Sequence, residues 1–360
     1  MGFALMGGSL HSAGKPAEAS PPPPVLEQTP APPPTETPAP TPEPTPESFT
    51  LSFIGDITPD CVPAFRNSAN AYQKVVGTDY PYVFAKTVDY FAQDDFTMAN
   101  FECVLSDAAT QPVSKNFTFR APSAYAGILS AGSVEFVTLG NNHVLDFGED
   151  GYADTKSALD GVSVAYAGRD ERTLYTTDSG LKIGVYALSF GTVAQIKTGI
   201  QALRDEGAEF IIAALHWGDE GSYDINEDQT EQGHAAIDAG ADIVYGSHPH
   251  TLQPIEQYKN HYIFYSMGNW SFGGNTDPRD KDSVIARLSV TRDIAGAVSV
   301  TGLELIPCAS SGVVRGNNYQ PTPYAVDSEE YKRTLSKLDG SFTGANLTIG
   351  YSYGVGELAP

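Results

Sequence analysis

The chain has 360 residues, of which 41% are hydrophobic, 35 are glycine and 26 are proline. With 21 basic and 44 acidic residues its net charge at pH 7 is −23, which argues against nucleic acid or an anionic membrane surface as the main partner, because both associations need Lys and Arg to neutralise phosphates. No run of 18 apolar residues occurs, so we expect no membrane-spanning helix in this sequence.

The first 48 residues differ in composition from the rest. Residues 1–19 hold a short apolar piece followed by small residues, and we interpret them as a leader, either the remnant of a signal or anchor or a disordered segment. Residues 20–48 hold 13 of the prolines and no glycine, aromatic or basic residue, which predicts a disordered spacer rich in Pro, Thr and Glu. Removing the five Glu and one Lys of residues 1–48 leaves 20 basic and 39 acidic residues, a net charge of −19, so the acidity belongs to the folded part.

The remaining residues suit one large domain or two small ones. We predict a folded domain over 49–310. Residues 311–360 show no clear pattern, and we expect them to form a C-terminal extension of that domain. The three cysteines, at positions 61, 103 and 308, match no zinc motif and allow at most one bridge, so unpaired or partly buried thiols are favoured.

Strand and helix patterns alternate from residue 50 to residue 245. In chain order they are strand 50–54, helix 81–91, strand 95–101, helix 122–131, strand 135–139, helix 151–159, strand 182–188, helix 196–206, strand 210–215, helix 230–239 and strand 243–245. This alternation predicts an α/β fold with a layered sheet. Strands without helices follow at 255–258, 261–266, 283–291 and 297–305. We therefore expect mixed sheets finished by antiparallel hairpins.

Polar side chains stand at the ends of five predicted strands. They are Asp56, Glu102, Asn142 with His143, His216, and His248 with His250. Each has an ordinary explanation when taken alone, as a turn residue or a hydrogen-bonded loop histidine. Because ligand sites of open α/β sheets lie at the carboxyl ends of the strands, we expect these side chains to converge in space.

The chemistry of this set favours a metal centre. Carboxylates, an amide oxygen and imidazoles, without cysteine, suit Mn²⁺, Fe²⁺, Zn²⁺ or Mg²⁺. One ion needs three or four protein ligands, so six candidates imply two ions. A pair of ions bridged by a carboxylate hydrolyses phosphate esters. Glu102 is the natural bridge, Asn142 would bind through its side-chain oxygen, and His143 would act as general acid.

Six ordered motifs resemble those of the bacterial capsule-synthesis, poly-gamma-glutamate (CapA-like) family. The motifs are Gly55-Asp56, Asn100-Phe-Glu102, Gly140-Asn-Asn-His143 followed by Leu145-Asp146-Phe147-Gly148, His216-Trp217-Gly218 with Glu220, Gly240-Ala-Asp242-Ile-Val-Tyr-Gly246-Ser-His-Pro-His250 with Gln253, and Ser266-Met-Gly-Asn269. The resemblance covers about 51–310. It implies a four-layer α/β/β/α domain with mixed sheets, similar in fold to calcineurin-like metallophosphatases, and a role in making, exporting or attaching an anionic capsule polymer.

The resemblance also implies roles for individual residues. It implies that one or two divalent ions are bound by six ligands, which are Asp56, Glu102, Asn142, His216, His248 and His250. It also implies that His143 is the acid. This sequence departs from the pattern at three positions. Glu102 stands where phosphatases usually bridge with Asp, a trait that it shares with the capsule family. Thr58 stands where metallophosphatases usually have a histidine, which implies that the first ion lacks one, and Ser247 stands where the family often has another histidine. One tight and one labile ion is therefore an alternative to two equivalent ions.

Three further residues are weaker candidates for substrate binding. Arg120 would hold a substrate anion or form a surface ion pair. Trp217 would be a substrate platform or a packed aromatic. Asn269 would hydrogen-bond a ligand histidine or a substrate oxygen, or would be a structural residue of a turn. Asp146 would orient His143 or cap the following helix, and we favour capping.

Together these observations predict a metal-dependent hydrolase or transferase that acts on a phosphate ester or polymer linkage during capsule or poly-gamma-glutamate synthesis. One alternative is a non-catalytic polymer-binding, export or assembly component that uses the same pocket, and another is hydrolysis of an amide link in the polymer. The expected partners are an anionic capsule polymer or phosphate-ester substrate and a membrane-bound capsule synthesis complex. The expected location is extracytoplasmic, at the cell surface or membrane, through an N-terminal segment that is missing or truncated here.

Overall fold

The computed structural model describes residues 45–349 and 358–359, so the predicted leader and nearly all of the predicted spacer lie outside the described residues. The strands are β1 Glu47–Thr58, β2 Phe96–Phe101, β3 Val104–Leu105, β4 Arg120–Ala121, β5 Phe136–Thr138, β6 Ala165–Ala167, β7 Glu171–Thr176, β8 Lys182–Ser189, β9 Phe210–His216, β10 Ile243–Ser247, β11 Ile255–Tyr258, β12 His261–Phe264, β13 Asn269–Phe272, β14 Asp282–Arg292, β15 Val298–Ala309, β16 Thr322–Pro323, β17 Thr348–Ile349 and β18 Leu358–Ala359.

The α-helices are α1 Tyr72–Val75, α2 Val88–Phe91, α3 Gly127–Ala131, α4 Gly148–Asp160, α5 Val193–Asp205, α6 Glu227–Asp238 and α7 Glu329–Leu338. Helices α5 and α6 begin with capping boxes, Thr192 with Gln195 and Asn226 with Gln229, in which each side chain bonds the other residue's backbone N–H. Among the helices that the structure describes, none is long and apolar enough to cross a bilayer.

The larger sheet has the strand order β16-β15-β14-β1-β2-β5-β6, and β13 pairs with the end of β1. Strands β1, β2, β5 and β6 are parallel, whereas β14 and β15 run antiparallel as a long hairpin. The parallel strands therefore end at one edge of the sheet.

The smaller sheet has the order β11-β12-β10-β9-β8-β7. Its central strands β8, β9, β10 and β12 are parallel, and the edge strands β7 and β11 are antiparallel to their neighbours. Both sheets are thus mixed, as predicted.

Alternate residues of the strands face different apolar layers. In β1, Phe53 faces the cluster between the two sheets and Ile54 faces the cluster under α3 and α4. In β9, Ile212 faces the cluster between the sheets and Ile211 the one under α5 and α6. Helices therefore cover the outer face of each sheet, and the predicted α/β/β/α layering is confirmed.

Several predicted elements differ in detail from those observed. The predicted helix 81–91 is wrong as a single helix: a 3₁₀ turn covers Tyr80–Phe84, and α2 begins only after Thr87, whose φ of −135° is not helical. Its apolar spacing arises because Phe84 and Phe91 both enter the core. The predicted helix 122–131 is likewise a 3₁₀ turn, Ser123–Ala126, followed by α3.

Residues beyond 310 contribute to the fold. Strand β16 pairs with β15, and α7 lies against the β14–β15 hairpin. The buried ammonium of Lys337 lies 2.8 Å from Asp280 and 2.7 Å from Asp282, and Arg333 forms a second ion pair of 2.6 Å with Asp282. These pairs attach α7 to the start of β14. The three cysteines are unpaired and buried, as the sequence predicted.

Candidate metal centre

The two sheets bring together the residues predicted at strand ends. From the larger sheet come Asp56 in β1, Glu102 directly after β2, and Asn142 with His143 after β5. From the smaller sheet come His216 at the end of β9, and His248 and His250 after β10. The site therefore lies where the carboxyl ends of two sets of parallel strands meet.

Two groups of possible ligand atoms share Glu102. One consists of Asp56, Glu102 and His250, and the other of Glu102, His216 and His248, with the ligand atoms of each group within 4.8 Å of one another. The Asn142 side-chain oxygen lies 3.3 Å from His216 Nε2. The role of these six residues as metal ligands stays a prediction, but their convergence is observed.

The group around Asp56 contains an imidazole. The sequence implied that an ion held there would lack a histidine, because Thr58 stands where metallophosphatases usually have one; in the structure His250 lies in this group with Asp56 and Glu102. The Thr58 hydroxyl instead donates to the Glu102 carbonyl oxygen, at 3.1 Å.

Two carboxylate oxygens test whether this set fits a cation. Glu102 Oε1 and Asp56 Oδ2 are buried, and neither accepts a hydrogen bond within the described part of the chain. Glu102 Oε1 lies 3.5 Å from His216 Nε2, and Asp56 Oδ2 lies 3.2 Å from His250 Nδ1. Buried carboxylate oxygens without donors are costly unless a cation compensates them. The residues present therefore fit a divalent ion.

The electrostatics of the cluster are strongly perturbed. Burial raises the pKa of Glu102 well above its usual range and lowers the pKa of His248 to about 3. Burial also lowers the pKa of His216, with the neighbouring histidines adding to the effect. For His250 burial opposes the charge, but the Glu102 and Asp56 carboxylates outweigh it and raise its pKa to about 10. The buried carboxylates of Glu102 and Asp56 therefore favour a positive charge next to them.

A ring of polar side chains holds the candidate ligands in place. The Asn100 side-chain amide donates to Asp56 Oδ1 at 2.8 Å and to Glu102 Oε2 at 3.3 Å. Ser247 Oγ lies 2.9 Å from His216 Nδ1, so the residue that replaces a histidine contacts a candidate ligand. Asn269 Oδ1 lies 3.0 Å from His250 Nδ1, as one of its predicted alternatives has it. Such contacts fix the orientation of metal-binding imidazoles.

The loop that carries the last two histidines has an unusual backbone. The φ angles of His248 and His250 are +98° and +58°, in the left-handed region that non-glycine residues rarely adopt. Each such residue costs on the order of 1–3 kcal/mol and persists only where its surroundings enforce it. This backbone conformation of His248 and His250 therefore lowers the stability of the fold while it orients both imidazoles toward the cluster.

His143 forms a pair with Asp146 beside the cluster. Its Nδ1 lies 2.7 Å from Asp146 Oδ2, and its Nε2 lies 4.0 Å from Glu102 Oε1. Burial lowers the pKa of His143, against the opposing effect of Asp146. The favoured capping role of Asp146 is wrong: the cap residue of α4 is Phe147, without a side-chain cap, and Asp146 orients His143.

Lys115 is a cation at the site that the sequence analysis missed. Its ammonium donates to the Asn142 carbonyl oxygen at 2.8 Å and to Asp146 Oδ1 at 3.1 Å, and lies 3.2 Å from His143 Nδ1. It stands in the largely exposed loop 106–117, far along the chain from Asn142, and no local pattern marks it.

Two of the weaker candidates make contacts other than those that a substrate-binding role would need. Trp217 is buried, donates to the Tyr265 carbonyl oxygen and stacks on the Tyr265 ring, so of its two alternatives the packed aromatic is observed. Arg120 has its contacts away from the cluster: it donates to the carbonyl oxygens of Ala108 and Thr110, and its guanidinium lies 4.4 Å from the centre of the Phe147 ring.

Comparison with known proteins adds three findings. A family model described as bacterial capsule synthesis protein PGA_cap matches residues 50–273, more than half of the chain. The capsule biosynthesis protein CapA of Bacillus anthracis is 27% identical over 332 residues, which cover 84% of this chain and 76% of that protein. The PGA biosynthesis protein CapA of Bacillus subtilis (strain 168) is 25% identical over 313 residues, with 80% and 77% covered.

Among solved structures, the NAD nucleotidase of Haemophilus influenzae is similar to this chain with a TM-score of 0.44 and 15% identity. The match covers 82% of this chain and 63% of that one, so less than two thirds of the nucleotidase corresponds to residues of this protein.

Proposed function

This chain belongs to the bacterial capsule synthesis protein PGA_cap family, and from the site described above we propose that it is a metal-dependent hydrolase or transferase of phosphate esters in capsule or poly-gamma-glutamate synthesis. The observation that carries the proposal is the pair of ligand groups that share Glu102, whose Oε1 is buried without a hydrogen-bond donor in the described chain. A carboxylate common to two groups is what a two-ion phosphoesterase centre requires.

The residues around this centre have separable tasks. Divalent ions bound there would supply a nucleophile from water and neutralise charge on the phosphoryl oxygens. Asp146 accepts a hydrogen bond from the Nδ1–H of His143, which leaves Nε2 on the side of the cluster. From there the doubly protonated form of His143 would transfer its Nε2 proton to the departing oxygen as general acid and be left neutral. Lys115 forms an ion pair of 3.1 Å with the Asp146 carboxylate and so helps to hold it beside His143.

The test combines metal content with turnover. We expect the purified protein, supplied with Mn²⁺, to hydrolyse generic phosphate mono- or diesters. His143→Ala should lower kcat by about 10²–10⁴-fold while leaving bound metal unchanged, whereas Glu102→Gln should lose both metal and activity. His234→Ala is the matched control, because this histidine pairs with Glu256 on the surface of α6, away from the cluster.

Three outcomes would overturn the proposal. If the protein binds metal but shows no turnover that His143→Ala abolishes, a polymer-binding or assembly component is favoured. Turnover of an amide-linked glutamate polymer, with none of phosphate esters, would favour amide hydrolysis. Absence of metal even after addition of Mn²⁺, Fe²⁺ or Zn²⁺ would remove the basis of the centre.

We also propose that the protein acts outside the cytoplasm, at the cell surface or membrane, as part of a capsule synthesis complex. The capsule role of its family and the spacer composition of residues 20–48 support this location. Protease treatment of intact protoplasts should degrade the protein, and protection under those conditions would contradict the proposal.

A further inference from the structure

An exposed aromatic side chain lies at the rim of the candidate metal centre. Phe190 directly follows β8 and is 56% exposed. Its ring centre lies 4.8 Å from that of His248 and 6.0 Å from that of His216, with interplanar angles of 84° and 88°. Perpendicular contacts of this kind are favourable between aromatic rings. Single exposed apolar side chains are common on protein surfaces, but this one adjoins the place where a substrate would meet the ions.

The backbone holds Phe190 in a strained conformation. Its φ angle is +48°, in the left-handed region that a bulky side chain seldom adopts. The Phe190 backbone N–H donates to the His216 carbonyl oxygen at 3.0 Å, which fixes the turn against β9. Strained residues persist where their surroundings enforce them, and they are concentrated at functional sites. The turn therefore presents the phenyl ring beside the cluster instead of burying it.

The contacts with the two imidazoles leave much of the Phe190 ring accessible. The ring centres of His216 and His248 are only 4.7 Å apart, so both imidazoles lie in the same direction from Phe190. More than half of the side chain is exposed in the other directions. Trp217, which the sequence offered as a substrate platform, is only 3% exposed. An accessible aromatic surface is provided by Phe190 instead.

A cleft of about 350 Å³ adjoins this turn. Ser189, the residue before Phe190, lines it together with Asn142, a candidate metal ligand, and Gln195 of α5. Small-molecule sites have volumes of about 300–1,000 Å³. The cleft therefore has room for a ring that is attached to an ester at the candidate metal centre.

The charges in the lining of the cleft do not favour a second anion. One cation and one anion line it, Arg169 and Asp170. Arg169 forms an ion pair of 2.6 Å with Glu149. Asp170 accepts hydrogen bonds from the Tyr186 hydroxyl and from the Gln195 side-chain amide. Because each charge already has a partner and the lining holds no excess of positive charge, the cleft suits a neutral group.

Polar atoms of the lining have unused hydrogen-bonding capacity. Within the described part of the chain, the Ser189 hydroxyl has no hydrogen-bond partner, and Arg169 donates only through Nη1, to Glu149. Asn142 has its Oδ1 3.3 Å from His216 Nε2, which leaves its side-chain N–H groups for a ligand. Such groups pair with hydroxyl groups. An accessible aromatic ring beside several free donors suits a sugar ring, because its C–H face packs on the aromatic ring while its hydroxyls need partners.

From these observations we propose that Phe190 is a platform for a neutral sugar ring of the substrate, and that the cleft beside it binds the hydroxyl groups of this ring. The phosphate ester then lies at the candidate metal centre. The inference rests on the proposed function for the ester, and it adds the group that the ester carries. It concerns binding and requires no turnover.

The test compares binding of three non-hydrolysable phosphonates to the Mn²⁺-loaded protein by isothermal titration calorimetry. The probes are the methylene phosphonate analogue of glucose 6-phosphate, phenylphosphonate and methylphosphonate. We expect the sugar phosphonate to bind most tightly. Phe190→Ala should weaken its binding by about tenfold, through loss of the ring contact, while the Mn²⁺ content and the binding of methylphosphonate stay unchanged.

Further variants separate ring packing from other roles of Phe190. Phe190→Tyr keeps the ring and should keep the affinity, whereas Phe190→Leu keeps an apolar side chain without a flat face and should resemble Phe190→Ala. Ile294→Ala is the matched control, because it shortens an exposed apolar side chain in the turn between β14 and β15. If Phe190 only supported His248, Phe190→Ala would lose Mn²⁺ and weaken the binding of all three phosphonates together.

Several results would overturn the inference. These are a sugar phosphonate that binds no more tightly than methylphosphonate, a preference for phenylphosphonate over the sugar phosphonate, or loss of Mn²⁺ in Phe190→Ala. Failure of the ester hydrolysis described above, with Phe190-dependent binding of the sugar phosphonate, would overturn the proposed function and leave this inference standing. Ester hydrolysis together with equal affinity for all three phosphonates would do the opposite.

Discussion

At the scale of single residues, Gly55 allows the backbone of residues 267–268 to approach β1 closely at the candidate metal centre. The chain crosses from the smaller sheet to the larger one between β12 and β13, and there the Gly268 carbonyl oxygen accepts a hydrogen bond of 2.8 Å from the Asp56 backbone N–H. A Cβ atom at Gly55 would lie 2.1 Å from that oxygen and 2.6 Å from the Met267 oxygen. Since the obstacle is backbone, it has no side chain to move aside.

Gly55→Ala should therefore destabilise the protein by about 3 kcal/mol, because the two backbone segments must separate. The separation would also move Asp56 away from its partners, so metal affinity should fall. Urea unfolding and metal titration measure the two effects. Gly302→Ala is the control, since its Cβ would meet only Ser289 at 3.5 Å. Similar losses of stability in the two variants would contradict this account of Gly55.

Individual residues also show where sequence reasoning stops. Asp56, Glu102 and His216 were found because each stands at the end of a recognisable apolar strand, where position along the chain implies position in space. Lys115 stands in a polar loop, and its place beside Asn142 depends on how that loop folds back. Asp146 was assigned to the following helix because it precedes it in sequence, whereas its closest partner is the imidazole of His143.

At the scale of elements, the pairing of β2 with β5 involves a buried carboxyl group. Glu135, directly before β5, accepts a hydrogen bond of 2.7 Å from the Thr97 backbone N–H in β2. Burial raises the pKa of Glu135 to about 7, with Asp94 adding to the effect. The fold thus favours the protonated form. The stability contributed by this group is complete below about pH 4.5 and is lost as the pH rises through about 7.

Glu135→Gln removes this titration and keeps an oxygen that accepts from Thr97. We expect the free energy of unfolding of the variant, relative to the wild type, to rise between pH 4.5 and pH 8 by about 1–2 kcal/mol after allowance for solvent screening. Chemical denaturation at several pH values measures the difference. Glu304→Gln, at an exposed position of β15, is the control. A relative stability that stays constant with pH would contradict the role given to Glu135.

Elements differ in how far the sequence predicts them. Strand β9 is a continuous apolar run up to His216. No polar residue interrupts this run because one face of the strand packs in the cluster between the sheets and the other packs under α5 and α6. The segment around Phe84 and Phe91 has helical spacing but folds as two short pieces, because tertiary packing overrides the local pattern. Helix α7 depends on Asp280 and Asp282, some fifty residues earlier in the chain, and such long-range ion pairs leave no local signal.

At the scale of the whole molecule, the candidate metal centre draws its possible ligands from both sheets. Asp56, Glu102 and Asn142 come from the larger sheet, and the three histidines come from the smaller one. An ion held by both groups would therefore oppose separation of the two sheets. A ligand that binds only the folded state adds about 2.7 kcal/mol of stability at a hundred times its dissociation constant.

Mn²⁺ should accordingly raise the Tm by several degrees, and chelation should reverse the shift. Glu102→Gln should abolish it, since both ligand groups include Glu102. Differential scanning calorimetry measures the effect, with His234→Ala as a control that retains the wild-type shift. A Tm that is indifferent to metal, or a shift that survives Glu102→Gln, would show that the ion does not bind between the sheets.

The buried thiols have a consequence for how the molecule opens. Burial raises the pKa of Cys61 to about 11 and also raises the pKa of Cys103 and Cys308. An alkylating reagent reacts only with an exposed thiolate, so it must wait for each site to open. The three labelling rates therefore report local opening at three separate places: Cys61 after β1, Cys103 next to Glu102, and Cys308 on β15. Their order shows which part of this protein unfolds locally most often.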